Sequence, residues 1–129
     1  MAERERIFSE TELEGRYGYC RAVVAGDRVI VSGTAPIWPN GECNPDPGVQ
    51  ARRCLEIIDM ALVEAGSSLN DVVRTRMFVT DAADQEAIGA EHARCFSAHP
   101  PATSMVVVAG LLDERWKVEI EAEAVKASK

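Results

Sequence analysis

Residues 116–125, WKVEIEAEAV, constrain the fold more than any other stretch of the chain. Trp116, Val118, Ile120, Ala122 and Ala124 alternate with Lys117, Glu119, Glu121 and Glu123. A helix of that order would spread charge around its whole circumference, whereas a strand sends successive side chains to opposite faces. The segment therefore reads as a half-buried strand. One face enters an apolar core and the other carries three carboxylates ~7 Å apart. Like charges in such a row are unfavourable unless water or cations lie beside them. Two readings stay open: an outer face in water, or a polar face lining a cleft or subunit interface with arginines opposite.

A second strand precedes it. Pro100 and Pro101 exclude helix and force an extended entry. Residues 104–109 are apolar and β-branched, and Gly110 with Asp113-Glu114 marks a turn. Residues 99–125 thus read as two strands joined by a turn, around which the rest of the chain is organised.

Residues 1–15 read as an arm or a short edge strand. Residues 19–24 and 28–32 make a hairpin turned by Ala25-Gly26-Asp27. Residues 34–48 hold four prolines and two glycines and read as loop, with Trp38 either lidding a pocket or anchoring at the surface. Residues 49–65 are helical, because Ala51, Cys54, Leu55, Ile58, Ala61, Leu62 and Ala65 recur every three or four positions. Arg52 and Glu56 form an i, i+4 pair on its solvent side, and Gly66 suits the left-handed residue after its end.

Residues 71–80 are a strand with Val73, Thr75, Met77 and Val79 on one face and Arg74, Arg76, Phe78 and Thr80 on the other. Asp84 caps a second helix over residues 85–98, whose core side carries Ile88, Cys95 and Phe96. His92 borders that core, and a packed, hydrogen-bonded role outweighs a catalytic one. The order is β-β-α-β-α-β-β, an α+β chain in which two helices cover one sheet face. The uncovered face collects Arg21, Arg74, Arg76, Glu119, Glu121 and Glu123.

A single domain over residues 1–129 accommodates this, and 47% hydrophobic residues suffice for one core. A net charge of −7 disfavours nucleic acid and anionic membranes as partners, which need a basic surface. No apolar run is long enough to span a membrane, and the charged N-terminus lacks a signal-peptide core, so a cytoplasmic location is expected. Cys20, Cys43, Cys54 and Cys95 form no C-x-x-C pair, and His92 with His99 has no metal-ligand spacing. No metal and no cofactor are expected.

Five segments in order resemble the RidA family, also called YjgF or L-PSP. Tyr19-Cys20-Arg21-Ala22-Val23 is similar to its Y-S-x-A-V strand, and Val31-Ser32-Gly33-Thr34 to its V-S-G-Q. The loop PIWPNGE, residues 36–42, is similar to its Pro- and Gly-bearing loop. Residues 71–81, DVVRTRMFVTD, are similar to D-V-V-K-T-T-V-F-V-x-D, and Val118-Glu-Ile-Glu-Ala122 to V-E-I-E-A. The resemblance covers nearly the whole chain. It implies a chorismate-mutase-like fold of the bacillus type and a homotrimer with ligand clefts between subunits. It also implies hydrolysis of reactive imines and enamines such as 2-aminoacrylate, the 2-iminobutanoate/2-iminopropanoate deaminase reaction. The alternatives are a non-catalytic metabolite-binding protein and, ranked last, an endoribonuclease.

Carried over residue by residue, the resemblance places Glu119 at the attacking water. Tyr19, Ser32, Gly33, Thr103 and Met105 would bind a small carboxylate or imine ligand. The family's carboxylate-binding arginine stands in P-A-R-S, where this chain has Pro101-Ala102-Thr103-Ser104, and a family asparagine is replaced by Gly89. A lone hydroxyl in place of a guanidinium fork costs about 1.5–3 kcal/mol of a charged hydrogen bond. Arg76 stands where the family has a threonine. By alternation it shares the Glu119 face, to pair with Glu119 or Glu121 or to hold a ligand carboxylate.

Overall fold

A computed structural model describes residues 4–9 and 11–127. The chain runs β1 (Glu5–Ile7), α1 (Glu12–Tyr17), β2 (Ala22–Ala25), β3 (Arg28–Thr34), α2 (Pro47–Glu64), β4 (Val72–Val79), α3 (Gln85–Phe96), β5 (Ala102–Val107) and β6 (Val118–Val125). The six strands form one sheet in the order β1-β2-β3-β6-β4-β5. The alternating segment, β6, lies inside the sheet, antiparallel to β3 on one side and to β4 on the other. Its Val118, Ile120, Ala122 and Ala124 are buried, as the alternation requires.

The core lies between that face and the helices. Leu55, Ile58 and Leu62 of α2, with Ile88 and Phe96 of α3, meet Val29, Val31, Met77, Val79 and the apolar row of β6. Asp46 caps α2 by accepting from the backbone N–H groups of Gly48 and Val49, with Pro47 in the first turn. That Asp-Pro signal sets the start two residues earlier than the apolar stripe suggests. At the other end Gly66 has φ +82°, and the N–H groups of Gly66 and Ser67 close back on the carbonyls of Val63 and Leu62.

Several expectations need correction. β5 and β6 are not a hairpin: β4 lies between them, parallel to β5. The N-terminal segment forms the short edge strand that was one of its two readings, β1, making six strands rather than five, and adds the helix α1, which was not expected; residues 1–3 and 10 lie outside the described residues. The strand expected from Tyr19 begins only at Ala22, and the one expected to end at Ser32 runs on to Thr34. Trp116 precedes β6 and lies in the loop. Val73 is exposed and Val72 buried, because the β4–β6 register shifts between Val72 and Arg74. Arg52 reaches across to Glu91 of α3 at 3.1 Å, and Arg53 takes Glu56 instead. No helix among the described residues is long and apolar enough to cross a membrane.

Candidate functional site

The site begins with an irregularity in β3. Val31 pairs with Ala122, yet Thr34 rather than Gly33 pairs with Ile120, so β3 carries one extra residue. Such a bulge bends a strand and re-aims its side chains. Here it returns Thr34 to the buried side and leaves Ser32 and Gly33 at the cleft. The Ser32 hydroxyl donates to the Cys20 carbonyl at 2.7 Å and fixes the bulge to the chain before β2. A Cβ on Gly33 would collide with the carboxylate of Glu119. The glycine thus lets the Glu119 carboxylate lie against the β3 backbone, and a larger residue there would push that carboxylate aside.

The three carboxylates of β6 differ in their partners. Glu123 is paired with Arg28 at 2.8 Å and Glu121 with Arg76 at 2.9 Å. Glu119, opposite Phe78 in the β4 register, has no salt bridge among the described residues. Burial pushes its carboxyl above the usual glutamate range; nearby Arg21 opposes the shift and Glu121 adds to it. A half-buried carboxylate without an ion-pair partner is unfavourable for the fold and better suited to accept a proton than an exposed one.

Arg21 is the buried cation of the site. Its Nη1 donates to the Gly33 carbonyl and to Thr34 Oγ1, both at 2.9 Å. Its Nε is enclosed by protein without a hydrogen bond among the described residues, 4.0 Å from Glu14 Oε2. Glu14, brought in by α1, is held by the backbone N–H of Ser9 at 3.1 Å and by the Ser9 hydroxyl. Arg21 thus braces the bulge from behind.

Glu119, Arg21, Ser32, Gly33 and Tyr19 line one cleft of about 700 Å³. Its apolar lining comes from Ile57 and Met60 of α2, which also presents Arg53, from Leu112 and Trp116 of the loop before β6, and from Ile37 of the loop after β3. Leu112 is 87% exposed and Met60 55%. Ile57 and Met60 lie off the buried stripe of α2, and apolar side chains on the outer side of an amphipathic helix are the sequence signal that could have found this wall. Leu112 and Trp116 had no such signal.

Of the residues assigned from sequence, Tyr19, Ser32, Gly33 and Glu119 come together. Arg76 does not line this cleft; it borders a shallower depression of about 170 Å³ with Glu121 and Glu123. Thr103 and Met105 on β5 also lie outside it. Thr103 Oγ1 hydrogen-bonds Thr75 Oγ1 at 2.8 Å, and Thr75 Oγ1 meets His92 Nε2 at 2.8 Å. His92 packs against Phe96, with ring centroids 4.6 Å apart, and burial lowers its pKa. The packed, hydrogen-bonded role read for His92 is the one observed. No cluster of His, Cys, Asp or Glu among the described residues could hold a metal ion.

Comparison with known proteins places this geometry. Residues 9–126 match the family model described as Endoribonuclease L-PSP. The crystal structure of Rv2704 from Mycobacterium tuberculosis, described as a member of the YjgF/YER057c/UK114 family, superposes with a TM-score of 0.88. It is 41% identical and covers 95% of this chain and 99% of that one. E. coli TdcF, solved with bound serine, is 36% identical with a TM-score of 0.79, over 84% of this chain and 88% of that one. The 2-iminobutanoate/2-iminopropanoate deaminase of Escherichia coli K12 is 37% identical over 112 residues, 84% of this chain and 87% of that protein. With the six-stranded sheet backed by two long helices, these likenesses carry one conclusion: the chain belongs to the RidA/YjgF family, that of the L-PSP endoribonuclease model, and has its chorismate-mutase-like fold.

Proposed function

We propose that this protein hydrolyses a reactive imine or enamine to the carbonyl compound and ammonia, with Glu119 handling the proton of the attacking water. The observation that carries the reading is the unequal pairing of the β6 row: Glu119 and Glu121 both line the 700 Å³ cleft, and of the row only Glu119, beside Gly33, has no arginine salt bridge among the described residues. Water adds its oxygen to the imine carbon while its proton passes to the Glu119 carboxylate. The nitrogen takes that proton to complete the carbinolamine, and as the C–N bond breaks the hydroxyl proton passes by way of Glu119 to the same nitrogen, which leaves as ammonia. The sum is imine plus water giving carbonyl plus ammonia, with no change of oxidation state. An enamine first takes a proton on carbon to become the imine. A positioned acid–base group contributes about 10²–10⁴-fold to such a step. The E. coli relative named for 2-iminobutanoate/2-iminopropanoate deamination supports the reaction class.

The assembly we assign is a homotrimer. Val106 and Val107, 44% and 56% exposed, lie on β5 at the open edge of the sheet, and an uncovered apolar edge strand invites pairing. Thr103 and Met105, which do not line the cleft of their own chain, enter the site only through such an assembly. Light scattering should give about three times the chain mass of 14.0 kDa; a stable monomer would remove this part of the reading.

Imines generated in situ from amines and amino acids, with semicarbazide trapping as the readout, test the chemistry. The protein should accelerate imine loss, and Glu119→Gln should remove at least about 100-fold of that acceleration. Acceleration that survives the substitution, or none with any imine, sinks the assignment; in the second case a non-catalytic ligand-binding cleft is the reading that stands. With Thr103 at the family's arginine position, 2-aminoacrylate should be a poor substrate. The ribonuclease label of the family model gains no support from a cleft whose unpaired charge is a carboxylate, since that charge repels phosphate.

A further inference from the structure

We infer that Glu14, which lies outside the cleft, is a positioning residue for the reaction: it holds Arg21 and so keeps that guanidinium from pairing with Glu119. The inference rests on the imine-hydrolase reading and adds a residue that acts on its proton acceptor through another.

Arg21 and Glu119 line the same cleft, yet no salt bridge joins them among the described residues. A mobile guanidinium beside a half-buried carboxylate should close on it. The contacts of Arg21 explain why this one does not. Its backbone N–H donates to the Ile7 carbonyl at 2.7 Å and its carbonyl accepts from the Ser32 N–H at 2.9 Å, which fixes the root of the side chain between β1 and β3. Nη1 donates to the Gly33 carbonyl and to Thr34 Oγ1. Cζ lies 5.9 Å from the centroid of the Tyr19 ring. Nε is enclosed, 4.0 Å from Glu14 Oε2. Nη2 makes no hydrogen bond among the described residues and is the donor with which a released Arg21 would take Glu119.

Glu14 is built to hold rather than to react. It does not line the cleft, and its carboxylate accepts from the Ser9 backbone N–H at 3.1 Å and from the Ser9 hydroxyl. Its carbonyl closes the end of α1 on the N–H groups of Gly18 and Tyr19. Arg21 is its one salt-bridge partner among the described residues. Glu14 and Arg21 are buried by their own chain, at 4% and 8% exposure, so the contact between them stands whatever a neighbouring subunit adds at the mouth of the cleft. The charged and titratable groups around Glu119 are Arg21, Glu121 on its own strand, Arg53 and the Cys54 thiol of α2, and the Tyr17 and Tyr19 phenols. Arg76 of β4 is taken by Glu121. Arg21 is the group that opposes the effect of burial on Glu119, and Glu14 limits how far it does so.

The test follows the Glu119 proton in two ways. One is the acid limb of kcat/KM for the semicarbazide-trapped imine that the wild type consumes fastest. The other is the carboxyl-carbon resonance of Glu119, assigned with Glu119→Gln and titrated by NMR. Charges from a neighbouring subunit are common to all variants and drop out of the differences. Glu14→Gln keeps the shape and loses the charge, so both midpoints should fall by about half a pH unit or more, and kcat/KM at neutral pH should fall several-fold. An unchanged or raised midpoint, or an unchanged rate, overturns the inference. In Arg21→Gln the NMR midpoint should rise, and adding Glu14→Gln should move it no further, because Glu14 acts through Arg21; the same shift in both backgrounds overturns the inference. If the wild type accelerates no imine, the hydrolase reading fails, and the NMR titration alone decides whether Glu14 holds Arg21 off Glu119. Where Glu14→Gln does not fold, Glu14→Asp draws the charge back from Arg21 and should lower the NMR midpoint in the same direction; no shift overturns the inference.

Discussion

Two half-buried polar clusters lie on opposite faces of the sheet, and they differ in how completely they are satisfied. On the helix side, Thr75, Thr103 and His92 hydrogen-bond one another, each with a partner within 2.8 Å. On the open side, Glu119 lies against Gly33 with no salt bridge among the described residues, while Arg21 beside it gives Nη1 to the bulge and leaves Nε without a hydrogen bond, 4.0 Å from Glu14. A satisfied cluster rigidifies a fold; an unsatisfied one is a standing cost that a functional role explains. The comparison teaches that the histidine, the residue type most often suspected of catalysis, belongs to the scaffold here. The carboxylate that weakens the scaffold lines the candidate cleft.

The sharpest way to break the contrast is Glu119→Gln. Besides the loss of activity, it should act on stability in the opposite direction. Burial raises the pKa of Glu119, so the folded chain holds that proton more tightly than the unfolded chain. Its contribution to stability is full below the ordinary glutamate pKa and is lost as pH rises through the raised folded value. The glutamine variant should therefore melt higher than wild type at neutral pH, with the gap closing below about pH 4. A variant that is inactive and less stable at neutral pH would mean that Glu119 is a structural ion after all.

Gly33→Ala should come next. Its methyl group must push the Glu119 carboxylate aside, and a displacement of about 1 Å at a reacting group costs on the order of 100-fold in rate. The flexible end of a glutamate yields easily, so the melting temperature should shift little. Full activity in the alanine variant would detach the bulge from the chemistry.

Thr75→Val probes the other cluster. It removes the hydroxyl that His92 and Thr103 share and leaves them their longer contact with each other at 3.4 Å, at a cost of about 1 kcal/mol in denaturant unfolding. The same cluster should make the fold acid-sensitive. Burial depresses the His92 pKa below its usual 6.5, so its contribution is full above that value and is lost as pH falls through the folded one. His92→Gln should flatten that decline; an unchanged pH profile would place the acid sensitivity elsewhere.

The smallest effect is expected at Arg76→Met. Its pair with Glu121 is about half exposed on the arginine side, and such pairs contribute about 0–1 kcal/mol. Binding and turnover in the cleft should be unaffected, because Arg76 does not line it. Loss of ligand binding in this variant, with stability intact, would restore Arg76 as an anion anchor.

The sequence by itself determined which side chains of β6 are buried, which helix stripe they meet and that one sheet face stays uncovered. Each of those follows from a local period of two or of three to four residues, which a short window contains. It also brought Tyr19, Ser32, Gly33 and Glu119 together, through residue types carried over from a family resemblance. Only the tertiary structure decided which of the three carboxylates stays unpaired. That depends on the bulge at Ser32-Gly33 and the register shift after Val72, where one extra residue changes every partner beyond it. It also depends on β4 entering between β5 and β6, which sends Thr103 to His92 rather than to the cleft. Partners across a sheet are chosen by segments tens of residues apart, and no local period records that choice.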